Sequence, residues 1–410
     1  MTRKNATLLT IALLMASGFV PPILFAADSE AEVTRRDFVK PQDRAEKFRQ
    51  PDAYFPHRMA MPGNNVLQLP RSAVADDFEV TYELDGNSYT IDDFNERTKT
   101  NALLILKDGK VVKEIYRNGA TPESRFISWS TAKSFVSTLV GMAIEDGYID
   151  GVDDQLTKYL PALKGSAYEG VSIRDALQMS SGVEWNEASY DFDDFSVPLN
   201  RGWEYSIVQH QYRFVEGANE LPRAHAPGEK YNYNTLETCI LGWLVETVTR
   251  QRMTQYFEKR LWQPAGMEFK ASWVIDGPEG IGREMAGGML GASLRDYGRF
   301  GLLMLNGGKL NGKQHVSEEW VKAATTADRE AVDYGNLYVD YPLGYGYQWW
   351  LFPNDHFEAQ GIYGQFVYVA PEDAVVIVKL SYWPEPWVDS MEFESYAFFN
   401  AVIAALKKTD

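Results

Sequence analysis

Extended apolar runs near both ends of the 410-residue chain constrain its fold more than any other feature. Near the start, residues 101–106 and 111–116 flank an Asp108-Gly109 pair, which is the sequence pattern of a β-hairpin. The extended runs near the end are residues 344–351, 360–369 and 374–382. Strands so far apart in sequence can pair in one antiparallel sheet, which residues 391–407 would cover as a closing amphipathic helix.

The long central region has helical patterns. Ser172 and Ser293 each precede an aspartate by three residues, and this capping-box spacing opens a helix. Apolar periodicity predicts further helices over residues 236–249 and 253–261. We therefore predict an α+β fold, an antiparallel sheet flanked by terminal helices with a mostly helical lobe inserted at about residues 150–330. A cleft is expected where the sheet and the lobe meet.

The first part of the chain differs in composition from the rest. Residues 1–27 begin with Arg3 and Lys4 and continue as an apolar run, which predicts a signal peptide and a periplasmic or secreted protein. An uncleaved N-terminal anchor is the alternative, and no other stretch is apolar for long enough to span a membrane. Residues 28–95 are charged and interrupted by prolines, and we predict an N-terminal extension lying against a main domain at residues 96–410.

Composition excludes several classes of function. The net charge of −17, without any Lys/Arg-rich run, does not favour binding to nucleic acid or to an anionic membrane. The single cysteine, Cys239, excludes an intrachain disulfide and is expected to be a buried hydrophobic residue rather than a nucleophile. The histidines, which lack metal-ligand spacing, are His57, His210, His225, His315 and His356. Since the sequence also has no Gly-x-Ser-x-Gly elbow, we predict neither a Ser-His-Asp hydrolase nor a metal or cofactor site.

Residues 128–145 contain Ser130 and Lys133 in Ser-x-x-Lys spacing at the start of a helical pattern. The apolar stripe of this helix consists of Phe135, Leu139, Met142 and Ala143. Ser130 would lie at the helix N-terminus, where N–H groups favour developing negative charge, with Lys133 one turn further along the same face. A hydroxyl beside an amine can form a serine nucleophile that does not use histidine. A solvated helix start without a catalytic role is the alternative interpretation.

A catalytic Ser130 needs a base, a proton relay and a site for the oxyanion. A lysine with the ordinary pKa of about 10.4 is protonated at neutral pH, so Lys133 can be the base only if burial lowers its pKa. A tyrosine facing both residues can pass the proton to the leaving group, and Tyr231 and Tyr233 are the candidates. The N–H of Ser130 and an N–H of an edge strand would hold the oxyanion.

Several stretches together resemble one known family. They are STAK at residues 130–133, GYIDGVDDQLTKYLP at 147–161, PGEKYNY at 227–233, YQWW at 347–350, GIYGQ at 361–365 and VIVKLSYWP at 376–384. On these stretches the chain, over roughly residues 100–405, resembles the class C-like serine hydrolases of the β-lactamase and penicillin-binding family. Within that family it most closely resembles the 6-aminohexanoate-dimer hydrolase branch, to which the last three stretches are specific. The resemblance implies a β-lactamase-like fold and a two-step acyl-enzyme mechanism.

The resemblance also implies roles for the matching residues. Ser130 matches the family nucleophile, Lys133 the base, and Tyr233, rather than Tyr231, the catalytic tyrosine. Residues 361–365 stand in the place of the family's usual Lys-Thr-Gly motif. On that alignment the oxyanion lies between the N–H groups of Ser130 and about Gln365, with Gly364 allowing a close approach.

The chain departs from the family pattern at two positions. The family's Tyr-x-Asn becomes Tyr233-Asn234-Thr235, so the amide that would orient Lys133 or a substrate is displaced. The Lys-Thr-Gly motif is absent, and with it the cation and hydroxyl that would hold a β-lactam carboxylate. These departures favour amide or ester hydrolysis on less anionic substrates.

We therefore predict an exported serine hydrolase that cleaves small-molecule amides or esters through an acyl-enzyme on Ser130. The aromatic residues that we predict to line its cleft are Trp129, Tyr190, Trp203, Tyr363 and Trp383, for which core packing is the alternative. One alternative function is β-lactamase or D-Ala-D-Ala peptidase activity. A second is a catalytically silent envelope binding protein on the same fold. The sequence does not predict an oligomeric state.

Overall fold

The computed structural model describes residues 28–187, 189–337 and 342–408, so the predicted signal peptide at residues 1–27 lies outside the described residues. The helices are α1 (Glu30–Arg36), α2 (Arg44–Lys47), α3 (Ile91–Arg97), α4 (Ala132–Glu145), α5 (Leu156–Tyr159), α6 (Ile173–Leu177), α7 (Pro198–Gly202), α8 (Thr235–Thr249), α9 (Met253–Phe257), α10 (Leu294–Leu305), α11 (Glu318–Ala324) and α12 (Asp389–Leu406). The strands are β1 (His57–Ala60), β2 (Thr81–Leu84), β3 (Asn87–Thr90), β4 (Thr100–Lys107), β5 (Lys110–Tyr116), β6 (Phe126–Ile127), β7 (Ala271–Val274), β8 (Leu290–Ala292), β9 (Lys309–Leu310), β10 (Lys313–Gln314), β11 (Gly344–Tyr345), β12 (Trp350–Leu351), β13 (Phe357–Gly361), β14 (Gln365–Ala370) and β15 (Val375–Ser381).

The early hairpin and the late strands form one antiparallel sheet in the order β11-β12-β13-β14-β15-β4-β5. Strand β15 pairs with β4, so that Val378 lies opposite Leu104 and the two distant parts of the sequence meet. Helix α10 covers one face of the sheet, where Gly298 lies against Leu104. Helix α12 covers the other face through Phe399, whose ring packs on Phe366. The predicted α+β arrangement is therefore confirmed.

Residues with positive φ determine where the strands of this sheet end. Asp108 and Gly109 have φ angles of 52° and 72° and connect β4 to β5, as the Asp-Gly pattern predicts. The prediction of one strand over residues 360–369 is wrong, because the chain turns at Tyr363, with a φ of 60°, and forms the hairpin of β13 and β14. Residues 344–351 likewise divide into β11 and β12.

The central region supplies the helices that surround α4. Helices α8 and α9 follow the predicted ranges, and a π-helical turn at Glu258–Trp262 continues α9. Ser172 caps α6 through a capping box, and the Ser293 side chain caps α10. Helix α4, which carries the Ser-x-x-Lys stretch, is buried from Ala132 to Ala143 and packs against α8.

Residues 28–95 pack closely on the rest of the protein. Strand β1 pairs with β7 at one edge of a second antiparallel sheet, whose order is β1-β7-β8-β6. The buried Arg44 guanidinium donates hydrogen bonds to the carbonyl oxygens of Val39 at 2.7 Å, Trp383 at 2.7 Å and Pro384 at 2.6 Å. This segment therefore reaches the turn region that follows β15. In the part of the chain that the structure describes, no helix combines the length and apolarity needed to cross a membrane.

Candidate active site

The turn that carries Ser130 has an unusual backbone conformation. Ser130 lies in a 3-10 turn, Trp129–Thr131, that leads into α4. Trp129 has a φ of 44°, in the left-handed region that residues other than glycine rarely adopt. Ser128 ties this turn to β8, because its N–H donates to Leu290 O at 2.7 Å and its hydroxyl accepts from Leu290 N–H at 3.0 Å. The half-buried Ser130 side chain is thereby fixed at the N-terminal end of α4.

Lys133 lies within hydrogen-bond distance of three oxygen atoms. Its Nζ is 3.0 Å from Ser130 Oγ, 2.9 Å from Thr235 Oγ1 and 2.7 Å from the carbonyl oxygen of Gly287. The side chain is completely buried, and burial lowers the pKa of Lys133 from its ordinary value to about 8. An amine with this pKa, in contact with the Ser130 hydroxyl, can accept its proton near neutral pH.

The structure separates the two candidate tyrosines. The Tyr233 ring lies 5.0 Å from Lys133 Nζ and stacks on Trp350, with the planes 14° apart. Tyr231 is 4% exposed and packs against Tyr345 in a small core cluster. Tyr233 is thus the tyrosine beside the Ser130–Lys133 pair, and Tyr231 belongs to the packing beneath it.

Thr235 stands where the family's Tyr-x-Asn motif has its asparagine. Its hydroxyl contacts Lys133, whereas Asn234 caps α8 by accepting a hydrogen bond from Leu236 N–H at 2.9 Å. Glu187 accepts hydrogen bonds from both the hydroxyl and the N–H of Thr235, at 2.5 and 2.8 Å. Sequence reasoning missed Thr235 as a Lys133 partner and missed Glu187 altogether, because neither lies in a motif that identifies it.

The outer edge of β13 lies beside Ser130. Strand β12 pairs with β13 only as far as Glu358, opposite Trp350, so the end of β13 extends past its neighbour. A Cβ atom added at Gly361 would lie 3.0 Å from Ser130 N and 2.5 Å from Ser128 O. Glycine is therefore required at this point, where the strand edge and the turn that carries Ser130 approach each other.

The hydrogen-bond pattern of β13 favours Ile362, rather than Gln365, as the candidate for the second oxyanion donor. Phe352 N–H donates to His356 O at 2.9 Å, so this is a hydrogen-bonded pair between the two strands. N–H directions alternate along an antiparallel strand, and this alternation, continued from β13 by one residue into the turn, assigns the N–H of Ile362 to the outer edge. The N–H of Gly361 points to the opposite edge, toward β14, where Gly361 pairs with Gln365. Gln365 thus belongs to the interior ladder, which favours Ile362 over the predicted Gln365 as the candidate donor.

Gly364 and Gln365 support the turn instead of contacting the reaction centre. A Cβ atom at Gly364 would lie 2.3 Å from the indole ring of Trp383, so the close approach concerns this core residue and not a substrate. The Gln365 side-chain amide donates to Tyr363 O at 2.9 Å and to Ser381 O at 3.0 Å. These bonds hold the turn that positions Ile362.

Three of the aromatic residues predicted to line the cleft are buried together. Trp129 and Trp203 are each 5% exposed and Tyr363 is 2% exposed, with ring centroids 6.1 Å apart for the tryptophans and 5.4 Å apart for Trp129 and Tyr363. Phe38 and Phe48, from residues 28–95, pack on Trp129 and cover it. Trp383 is 1% exposed and belongs to the core. Burial beneath the N-terminal segment leaves the two tryptophans little surface for a substrate.

A cavity of about 470 Å³ lies beside this aromatic cluster. Tyr190 and Tyr363 line it, together with Lys40 and Arg44 from the N-terminal segment. Two of the predicted aromatic residues therefore border a space that a small molecule can enter, and contact with substrate stays a prediction for all of them. Residues 28–95 supply part of the wall, which their sequence did not indicate. Over the ranges that the structure describes, no three His, Cys, Asp or Glu residues are grouped as metal ligands.

Comparison with known proteins places this chain in a family. A family model described as Beta-lactamase matches residues 89–392, which is most of the chain. The chain belongs to the beta-lactamase family. The 6-aminohexanoate-dimer hydrolase of Paenarthrobacter ureafaciens is 32% identical to it over 332 residues, which cover 78% of this chain and 83% of that protein.

Solved structures show the same beta-lactamase fold. A protein from Bacillus anthracis, provisionally assigned as a 6-aminohexanoate-dimer hydrolase, superposes with a TM-score of 0.76 at 22% identity and covers 93% of this chain and 99% of its own. A family VIII carboxylesterase superposes with a TM-score of 0.55 at 15% identity, covering 77% of this chain and 94% of its own. The family and fold inferred from the sequence motifs are confirmed, and this beta-lactamase family member is a serine hydrolase of that fold.

Proposed function

We propose that this member of the beta-lactamase family is an exported enzyme that cleaves amide or ester bonds through an acyl-enzyme on Ser130. The observation that carries the proposal is the contact of 3.0 Å between the buried Lys133 Nζ and the half-buried Ser130 Oγ. Lys133 removes the Ser130 proton as the hydroxyl attacks the carbonyl carbon of the substrate. The N–H groups of Ser130 and Ile362 hold the oxyanion that forms.

The second half of the reaction returns the enzyme to its starting state. Tyr233, beside the Lys133 amine, passes a proton to the leaving amine or alkoxide, which departs as the acyl-enzyme forms. Water then attacks the ester carbonyl and releases the acid, and Ser130 regains its proton. Since Lys133 must be neutral to act as the base, we expect the acylation rate to rise with pH through about pH 8, as the pKa of Lys133 predicts.

The strand beside Ser130 favours substrates that lack a carboxylate at the reacting end. Strand β13 reads Phe-Glu-Ala-Gln-Gly and provides no cation. The Gln360 amide donates to the Glu392 carboxylate at 2.8 Å, so it is committed within the protein. We therefore propose linear amides or short-chain esters as the substrate class, which agrees with the names of the 6-aminohexanoate-dimer hydrolase relative and the carboxylesterase neighbour.

Covalent labelling tests the nucleophile directly. We expect mass spectrometry to find one fluorophosphonate adduct on Ser130 of the folded mature protein, and none in Ser130→Ala. The matched control, Ser88→Ala, changes an exposed serine of β3 and should label normally. A folded protein without an adduct on Ser130 would favour the silent binding protein instead.

A substrate panel tests the bond that is cleaved. We expect turnover of p-nitrophenyl acetate and of the aminohexanoate dimer to exceed turnover of a chromogenic cephalosporin. The reverse order would favour the β-lactamase alternative. Export is tested separately, by N-terminal sequencing of the protein recovered from the periplasm or medium, which we expect to begin after residue 27.

A further inference from the structure

Glu187 receives four hydrogen-bond donors in the loop above α8. Its Oε2 accepts from Thr235 N–H at 2.8 Å and from the Trp185 indole N–H at 2.7 Å. Its Oε1 accepts from the Thr235 hydroxyl at 2.5 Å and from the Tyr190 hydroxyl at 3.3 Å. A carboxylate is the side chain that accepts at both oxygen atoms and donates at neither.

These bonds determine what the Thr235 hydroxyl can do. A hydroxyl has one proton, and at Thr235 that proton is given to Glu187. Toward Lys133 Nζ, 2.9 Å away, Thr235 Oγ1 can therefore only accept. The backbone carbonyl of Gly287, 2.7 Å from the same nitrogen, is also only an acceptor.

The orientation of the Lys133 amine follows from these two acceptors. A neutral amine has two N–H bonds and one lone pair. The N–H bonds are directed to Thr235 Oγ1 and Gly287 O, so the lone pair is left for the third neighbour, the Ser130 hydroxyl at 3.0 Å. This is the direction in which the base must accept the nucleophile's proton.

We propose that Glu187 is a positioning residue, which holds Thr235 as an acceptor and thereby directs the Lys133 lone pair at Ser130. The inference rests on the proposed function, since it concerns the same base and nucleophile. A glutamine at this position would place an NH₂ group against two of the four donors. If that group faced Thr235 Oγ1, the threonine proton would turn toward Lys133 and occupy its lone pair.

The decisive variant is therefore Glu187→Gln. With p-nitrophenyl acetate we expect kcat to fall about 100-fold with little change in KM, which is the typical size of a lost general-base interaction. The acid limb of the pH–rate profile should also move to lower pH, because the Glu187 charge raises the pKa of Lys133 against the effect of burial. The other titratable groups facing this amine are Cys239, from α8, and Tyr233. The shift of this limb reports the lost charge alone, so the positioning role is tested by the Thr235 variants.

A variant series separates the explanation from simple damage. Thr235→Val should lower kcat to a similar extent, Thr235→Ser should retain most activity, and Glu187→Gln combined with Thr235→Val should be no worse than Thr235→Val alone. Glu184→Gln, an exposed change in the same loop, should behave as wild type. If Glu187→Gln does not fold, Thr235→Val carries the same expectation for kcat.

Three outcomes overturn the inference: a wild-type kcat in Glu187→Gln, a wild-type kcat in Thr235→Val, or fully additive losses in the double variant. Failure of the proposed function is recognised differently, by full turnover in Ser130→Ala. If Ser130→Ala is inactive while Glu187→Gln behaves as wild type, the role of Glu187 alone is refuted.

Discussion

Among the residues that the structure describes, two lysines are completely buried, and only one of them lies in the candidate active site. Lys133 projects from α4 toward oxygen atoms of Ser130, Thr235 and Gly287. Lys379, on β15, donates one hydrogen bond to Ser381 Oγ at 2.7 Å. The aromatic rings around its ammonium group are those of Phe94, Phe366 and Trp383, with centroids 4.9 to 5.7 Å away.

Burial lowers the pKa of both lysines, so a shifted pKa does not by itself identify a base. The two lysines differ in whether their neighbours orient the amine group. Around Lys133, two acceptors fix the N–H bonds and a hydroxyl faces the lone pair. Around Lys379, aromatic faces contribute no such direction, and Ser381 is itself surrounded by the sheet. A catalytic lysine is therefore recognised by how its neighbours orient it and by its access to a cleft.

The largest expected difference between the two lysines is in the loss of activity when each is replaced by methionine. We expect Lys133→Met to lower kcat/KM for p-nitrophenyl acetate by about 1,000-fold or more, because no other base contacts Ser130 in the described residues. Lys379→Met should change kcat/KM less than about twofold, since Lys379 lies on β15 and can affect the candidate active site only indirectly, through the strands of the sheet. Steady-state rates of the two purified, folded variants check this, and equal losses in both would contradict the distinction.

Removing the Tyr233 hydroxyl tests whether the group beside Lys133 moves a proton. We expect Tyr233→Phe to lower kcat by about 100-fold, because leaving-group protonation loses its relay while the ring and its stacking on Trp350 remain. The matched change Tyr231→Phe, in the core cluster, should cost less than about threefold. The effect should be larger for an amide than for p-nitrophenyl acetate, whose leaving group needs no proton. A loss independent of the leaving group would argue against the relay.

A smaller loss is expected from crowding the strand edge beside Ser130. In Gly361→Ala the new methyl group would lie 2.5 Å from the backbone oxygen of Ser128, so β13 and the nucleophile turn must separate. We expect kcat to fall about tenfold, because Ile362 N–H moves away from the oxyanion. Gly151→Ala, where a Cβ meets no atom within 4 Å, is the control. Wild-type kcat in Gly361→Ala would refute the assignment of Ile362.

The parts of this site that are local in sequence could be predicted, and those that depend on folding could not. Ser130 and Lys133 lie one helical turn apart, so their spacing alone predicts contact. Tyr233 required the family pattern to distinguish it from Tyr231. Glu187 lies in an irregular loop and meets Thr235 only because that loop folds over the start of α8.

The hairpin of β13 and β14 was not predictable for a related reason. The turn after β13 places Tyr363 at a φ of 60°, which its amino-acid type does not indicate. Without that turn, residues 360–369 read as one strand, and the family alignment alone indicated Gln365 as the oxyanion donor. The fold itself was predictable, because the early hairpin and late strands carry strong patterns. The edge that each N–H faces depends on strand register, and register could not be read from the sequence alone.

The last comparison of the two lysines concerns the pH dependence of stability, which is the smallest of the expected effects. The folded pKa of each lysine lies below the unfolded value, so unfolding takes up protons and stability rises with pH. Each such lysine contributes a slope of up to about 1.4 kcal/mol per pH unit. For Lys133 this slope should end near pH 8, where the folded side chain becomes protonated. Burial also lowers the pKa of Lys379 well below its ordinary value, so Lys379 contributes a slope of the same sign. Urea unfolding between pH 6 and 10 should therefore show that Lys133→Met flattens the profile above pH 8, and that Lys379→Met flattens it as well. The exposed change Lys110→Met should leave the wild-type profile, and an unchanged slope in Lys379→Met would mean that this lysine is protonated inside its aromatic cage.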